Sequence, residues 1–390
     1  MMPPAAPPQA IRALEDSLLH RVLEVSGSLQ RWPRPRVLAL MAANAVMIAF
    51  AWSGPYPSGV ALGAGALTLG ACLAGWALCA LLPRAGRSFG PDQPPALGLM
   101  LVLAVLGLLF GVLGAPLWLL ALADALLLLV AAYATWIEPM RLGVTQQRLA
   151  LFAPGSAPPL RVLHLGDLHL ERITARERAL QAAIAQLRPD VIVFSGDLVN
   201  LSYRRDPHTH AALRELLDGW RAPLGVFLVP GTPTVEQLDD VAAWVTGLDH
   251  ITLLPGRTVV IDAPAGRLAI SGMITTHLLE IDRAEVARLG RELPPGLPAL
   301  LLAHAPDVAP EAAAAGFRWM LCGHTHGGQI RLPLIGALLT SSHYGRRFVM
   351  GRHTLGAMTL YTTRGIGLEG LGAPRARLLC PPEIVLWEIT

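Results

Sequence analysis

Between Arg36 and Arg84 no residue is charged, and between Gln93 and Ile137 only Asp124 is. Within these windows four runs, at about 37–53, 59–82, 96–114 and 116–137, each approach the ~20 apolar residues that a helix needs to cross a bilayer. Breaks rich in Pro and Gly separate them: SGPYPSG, PRAGRSFGPDQPP and GAP. The last is so short that the third and fourth runs are expected to form a tight hairpin. Upstream, IRALEDSLLHRVLEV sets Ile11, Leu14, Leu18, Val22 and Val25 at helical spacing with charges opposite. That is an amphipathic helix, either lying on a membrane surface or packed on the protein. The Pro/Ala-rich MMPPAAPPQA before it is expected to be a disordered tail.

The pattern changes after residue 158. Short continuous apolar runs alternate with helical periodicity: RVLHL, VIVFSG, GVFLV, RTVVID, RLAIS, ALLLA and RWMLC are predicted strands. TARERALQAAIAQLR, AALRELLDGW and TVEQLDDVAAWV are predicted helices, the last opened by a capping box of Thr234 and Gln237. Strands that are apolar at every position are buried on both faces, which predicts layered α/β with helices outside the sheets. The expected organisation is a tail and amphipathic helix over 1–36, four transmembrane helices over 37–137, a linker over 138–157, and an α/β domain over 158–390.

Composition and charge sharpen the first half. Hydrophobic residues make up 53% of the 390 and charged residues 15%, against roughly 25% charged in ordinary soluble domains. The alternative of a soluble four-helix domain requires charge-free stretches that are rare in water-soluble folds. Arg31, Arg34, Arg36, Arg84, Arg87, Arg141 and Arg148 all fall on one side of a four-span topology. The positive-inside rule places that side, and the second half, in the cytoplasm. Trp118, Tyr133 and Trp136 sit near span ends as interface anchors. Asp124, a lone carboxylate in a span, is functional, satisfied by a neighbouring helix, or near the interface. Residues 151–390 hold 22 Arg against 22 acids, which gives no basic face for nucleic acid. Four Cys without a C-x-x-C argue against a disulfide framework and fit a reducing compartment.

The chemistry collects after strands, where ligands bind in open α/β folds. Gly166-Asp167-Leu168-His169 follows RVLHL, and Gly196-Asp197 follows VIVFS. His304 follows ALLLA, and Gly323-His324-Thr325-His326 follows RWMLC. On an extended segment the i, i+2 spacing directs both side chains to one side, and the glycines let the backbone approach a central object. Mixed Asp and His donors suit Mn, Fe, Zn or Co. Asp167, His169, Asp197, His304, His324 and His326 suffice for two ions with one carboxylate shared. Two ions about 4 Å apart polarise a phosphoryl group and supply a nucleophile for in-line attack.

GDLHL, SGDLVN, LLAHAPD and CGHTHGGQIRLP resemble the signature blocks of calcineurin-like metallophosphoesterases, in their bacterial membrane-associated branch. TTRGIGLEGLGAPRARLLCPPEIVLWEI resembles the ending of that branch. The resemblance covers 158–390 and implies a four-layer α/β/β/α sandwich. It implies Asp167, His169, Asp197 and His326 as ligands of a first ion, and Asp197, His304 and His324 as ligands of a second, with catalysis resting on Asp197 and His304.

One block departs. Where the family has Gly-Asn-His, whose Asn ligates the second ion and whose His contacts phosphate, this chain has Gly231-Thr232-Pro233. Thr232 offers a weaker, hydroxyl ligand, and Pro233 cannot donate a proton; losing a general acid costs roughly 10²–10⁴ in rate. Three readings follow. The substrate has a leaving group that needs little protonation, such as a phosphoanhydride. Or His208, His210 or His277 substitutes. Or catalysis is lost and a metal-binding membrane protein for sensing or docking remains. The sequence favours an inner-membrane phosphohydrolase, multi-pass and cytoplasmic-facing. Its substrate is phosphorylated, with a lipid-linked one such as a UDP-linked acylated glucosamine among the candidates. The apolar residues of RLPLIGALL form either a lipid-facing lip or part of the core.

Overall fold

The computed structural model describes residues 18–390 other than 154 and 156. The Pro/Ala-rich tail and the first part of the expected amphipathic helix lie outside the described residues; its remainder is helix α1, Leu18–Ser28. The chain divides into two compact units. One comprises Leu18–Glu138 with Glu369–Ala376, the other Pro139–Leu368 with Arg377–Thr390.

In the helical unit, α2 (Arg34–Trp52), α3 (Ser58–Leu81), α4 (Gln93–Val112) and α5 (Leu117–Ala132) reproduce the four apolar runs. A π turn and a 3₁₀ turn carry α5 on to Met140, and all four segments are long and apolar enough to cross a membrane. Helices without charged faces associate by close approach and by hydrogen bonds to backbone. A Cβ on Gly65 would lie 2.6 Å from the Ala45 carbonyl oxygen, and Trp52 Nε1–H donates to the Gly107 oxygen at 2.9 Å. Trp118 is largely exposed. Trp136 instead donates its indole N–H to the Leu78 oxygen at 3.0 Å, under the Arg87 guanidinium. Asp124 is buried, and neither of its oxygens has a hydrogen-bond partner among the described residues.

The second unit is mixed α/β. Its first sheet uses β1 (Gly143–Leu149), β2 (Leu160–Leu165), β3 (Val191–Phe194), β4 (Val226–Leu228) and β5 (Ile251–Leu253). Its second uses β6 (Arg257–Ala263), β7 (Gly266–Gly272), β8 (Ala299–Leu302) and β9 (Trp319–Cys322). A small hairpin pairs β10 (Arg331–Leu332) with β11 (Gly336–Ala337). β12 (Gly351–Leu355) and β13 (Met358–Thr362) complete the second sheet, and β14 (Glu383–Ile389) joins the first. The orders are β1-β14-β2-β3-β4-β5 and β12-β13-β9-β8-β7-β6. β2 to β5 run parallel, as do β7, β8, β9 and β13. Within 138–157, read above as a linker, β1 pairs in parallel with β14.

Successive residues of one strand enter different cores, which explains the uninterrupted apolar runs. Leu160 and Val162 of β2 face the layer between the sheets with Leu300 and Leu302 of β8. Leu163 and Leu165 face out, onto helices α6 (Ala175–Leu187), α7 (Pro207–Asp218) and α8 (Leu238–Val245). Ala299 and Leu301 face α9 (Leu279–Arg291) and α10 (Ala309–Ala314). The result is a four-layer α/β/β/α sandwich.

The capping box expected of Thr234 and Gln237 does not form. α8 begins at Leu238 with Gln237 as an N-cap that makes no side-chain bond, because residues before it are drawn toward the loop after β3. A full capping box occurs on α6 instead, between Thr174 and Glu177.

Candidate metal centre

Parallel strands end on the same edge, so the loops after β2, β3, β4, β7, β8 and β9 meet there. Donor atoms of Asp167, His169 and His326 lie within 4.8 Å of one another, as do those of Asp167, Asp197 and His304. Asp197 Oδ2 stands between two rings, 3.3 Å from His169 Nε2 and 3.4 Å from His304 Nε2. The Nε2 atoms of His169 and His326 are 2.9 Å apart, and His324 Nδ1 is 3.2 Å from His304 Nε2. Thr232 is there too: its Oγ1 is 3.1 Å from His304 Nε2, and its amide donates to Asp197 Oδ1 at 2.8 Å. The structure therefore brings together all seven residues singled out by sequence.

The geometry of the ligand loops differs from the extended segment expected. Asp167, His169, Asp197, His324 and His326 all have positive φ, between 40° and 71°. For residues other than glycine such conformations cost roughly 1–3 kcal/mol each and persist where surrounding structure enforces them. The two rings of GHTH consequently diverge, His324 toward His304 and His326 toward His169. Glycine serves close approach: a Cβ on Gly323 would lie 2.5 Å from Asp167 Oδ2. That oxygen and its partner accept the His324 amide N–H, at 3.0 and 2.9 Å.

The rings are oriented from behind. His304 Nδ1–H donates to the Ser195 carbonyl at 2.9 Å, leaving Nε2 toward the cluster. His324 Nε2–H donates to the Ser341 carbonyl at 2.9 Å, leaving Nδ1. This is the arrangement by which a backbone carbonyl fixes the tautomer of a ligating histidine. Burial opposes charge on His304, but the carboxylates of Asp197 and Asp167 outweigh it and raise the ring to about 9. Burial lifts Asp167 to about 6. Burial also opposes charge on Asp197, yet the His304 and His169 rings hold it well below the usual carboxylate range. Buried acids and imidazoles interleaved in this way form a donor set suited to divalent cations.

Three participants escaped the strand-end reading. Glu236, inside the segment read as helix, accepts backbone N–H groups from Asp197, Leu198 and Gly231. Arg377 is fully buried, donates to the carbonyls of Gly367, Arg364 and Cys380, and lies 3.4 Å from His326 Nδ1. His277, weighed beside His208 and His210, groups its ring with His304 and His324. His208 and His210 lie on α7, where His210 bonds the Arg204 carbonyl at 2.7 Å and joins no such group.

Residues 160–328 match the family model described as calcineurin-like phosphoesterase. The phosphodiesterase YaeI of Escherichia coli (strain K12) is 30% identical over 266 residues, covering 66% of this chain and 92% of that protein. The chain belongs to the calcineurin-like phosphoesterase family. Members of this family use a dinuclear divalent metal centre, and the candidate clusters above fit one. A further relative, the uncharacterized metallophosphoesterase YkuE of Bacillus subtilis (strain 168), is 26% identical over 66% of this chain and 88% of that protein. The UDP-2,3-diacylglucosamine pyrophosphatase LpxG of Chlamydia trachomatis is 25% identical over 66% of this chain and 94% of that protein.

Proposed function

We propose that this calcineurin-like phosphoesterase is a membrane-anchored hydrolase of phosphodiesters or phosphoanhydrides, acting at the cytoplasmic face of the inner membrane on a lipid-linked substrate. The observation that carries the reading is Asp197 Oδ2 between His169 and His304, with the other four donors around them. Asp167, His169, Asp197 and His326 would hold one divalent ion, and Asp197, His304 and His324 the second. Such a pair supplies charge neutralisation at phosphorus and a nucleophile at neutral pH. The chain's own residues fix the ligands through Ser195, Ser341 and Glu236 and exclude water behind them.

Pro233 supports an anhydride or an activated ester, because it leaves no proton donor at that position. The named relatives include a phosphodiesterase and a pyrophosphatase. A lipid-linked substrate is supported by the β10–β11 hairpin and the loop after it. There Leu334, Ile335, Leu338 and Leu339 are exposed rather than core, two residues before Ser341, whose carbonyl accepts from His324. Four apolar helices and the arginine distribution support the anchored, cytoplasmic orientation.

The test is hydrolysis of an activated aryl phosphate and a diphosphate diester by purified full-length protein with Mn, Zn or Co, beside Asp197→Ala. Wild-type turnover with at least a hundredfold loss in the variant is expected. Equal rates would leave the alternative, a non-catalytic metal-binding membrane protein, which the Thr232–Pro233 replacement favours.

A further inference from the structure

We propose that His277 is a ligand of the second divalent ion, filling the coordination place that the Gly231-Thr232-Pro233 replacement weakens. The inference rests on the dinuclear reading above and adds a residue to it. His277 lies beyond β7, a parallel strand of the second sheet next to β8. A nitrogen of its ring lies within 4.8 Å of donor atoms of His304 and His324. Its Nε2 is shielded from solvent and has no hydrogen-bond partner among the described residues. Ring packing alone is the ordinary explanation for a histidine 4.4 Å, centroid to centroid, from another. Packing does not require that a buried nitrogen be left bare, since such a group normally finds a partner.

The backbone is built to present this ring. His277 has φ 60°, the same left-handed region as five of the other ligands. Asp282, buried at the start of α9, holds it there: Oδ2 accepts the His277 amide at 3.1 Å. Oδ1 accepts the Thr276 amide and hydroxyl at 2.8 and 2.7 Å. Three imidazoles and the Asp197 carboxylate make a softer donor set than a site holding an amide oxygen. The second site should therefore prefer Zn or Co over Mn.

The test is ion binding by full-length protein in detergent, with Zn and Co supplied from metal buffers. Wild type should hold two ions per chain. His277→Ala and His277→Gln should keep one and bind the second at least about tenfold more weakly, the lower end of what orienting partners alone contribute. Their Co(II) visible spectrum should lose the contribution of the second ion. His208→Ala, on exposed α7 surface, should match wild type. His277 is half-buried on a loop, and the glutamine variant keeps size and polarity, so loss in both variants separates ligation from misfolding. Two ions at wild-type affinity in either variant would overturn the assignment while leaving the dinuclear reading intact. Fewer than two ions in wild type itself would sink both.

Discussion

Glu236 holds Asp197 by its backbone. Glu236 Oε2 accepts the Asp197 amide N–H at 3.0 Å and the Gly231 amide at 2.7 Å, and Oε1 accepts from Leu198 and Val199. One carboxylate from the loop after β4 thus clamps the loop after β3, whose residue Asp197 faces both histidine pairs. Burial, together with the Asp197 charge, pushes Glu236 up to about 7. Glu236→Ala strands those donors, at roughly 1–3 kcal/mol for each one left buried and unpaired. The expected result is a lower melting temperature without metal and ion affinity weakened about 10–100-fold. Glu236→Gln, which keeps an acceptor oxygen, should lose less on both measures. Unchanged affinity in the alanine variant would remove Glu236 from the support of the centre.

His304 predicts a pH dependence. Its folded value of about 9 lies above the ordinary 6.5, so the folded, metal-free protein holds a proton there that the unfolded chain releases. The associated stability, on the order of 3 kcal/mol, is fully present below about pH 6.5 and is lost as pH rises through 9. At lower pH the raised Asp167 and Glu236, the latter near 7, and the lowered His277 and His326 also contribute, in opposite senses, so the cleanest window is pH 8–9. Melting of metal-free protein should fall across that window, and His304→Ala should flatten the curve.

The same proton must leave when an ion binds. Ion affinity should therefore rise with pH up to about 9, with proton release at pH 7. Calorimetry in two buffers of different ionisation enthalpy reads the number of protons directly. Equal heats in both buffers would contradict a protonated His304.

Restoring Asn and His at 232 and 233 separates substrate classes. Thr232→Asn with Pro233→His should raise kcat/KM about 10²-fold or more for an alkyl phosphodiester, whose leaving group needs a proton. For a diphosphate diester little gain is expected. A comparable gain on both substrates would mean that the native site is impaired for either chemistry.

The exposed hairpin gives a prediction about lipid. Leu334→Ser with Leu339→Ser should raise KM for an acylated substrate at least about tenfold, since fully burying one such side chain is worth roughly 1.5–3 kcal/mol. KM for a soluble aryl phosphate should not move.

The clustering of the six acids and histidines was legible because each sits directly beyond an apolar run, and strand ends are where a parallel sheet exposes chemistry. The same runs gave the sandwich, since Leu163 and Val162 each needed a buried face. What was not legible depended on partners distant in sequence. Nothing local distinguishes His277 from His208 or His210; only the end of β7 lying beside β8 does. Glu236 read as helix because its surroundings are helical in composition, yet unpaired amides after β3 claim it. β1 looked like linker because an edge strand of alternating polarity, Gly143–Leu149, needs only one partner. That partner, β14, lies near the other end of the chain. The left-handed ligand backbones left no trace at all, because Asp and His carry no preference strong enough to announce them.

The position of β14 also orders the events of synthesis. It lies between β1 and β2, so the first sheet keeps an open seam until Glu383–Ile389 leaves the ribosome. Arg364 reaches its buried partner Glu383 only then, at 2.7 Å. The apolar helices are translated long before that moment and can enter the bilayer while the rest of the polypeptide is unfinished. The loops after β2 and β3, which carry Asp167 and Asp197, therefore rest on a sheet that closes only once Glu383–Ile389 has been added.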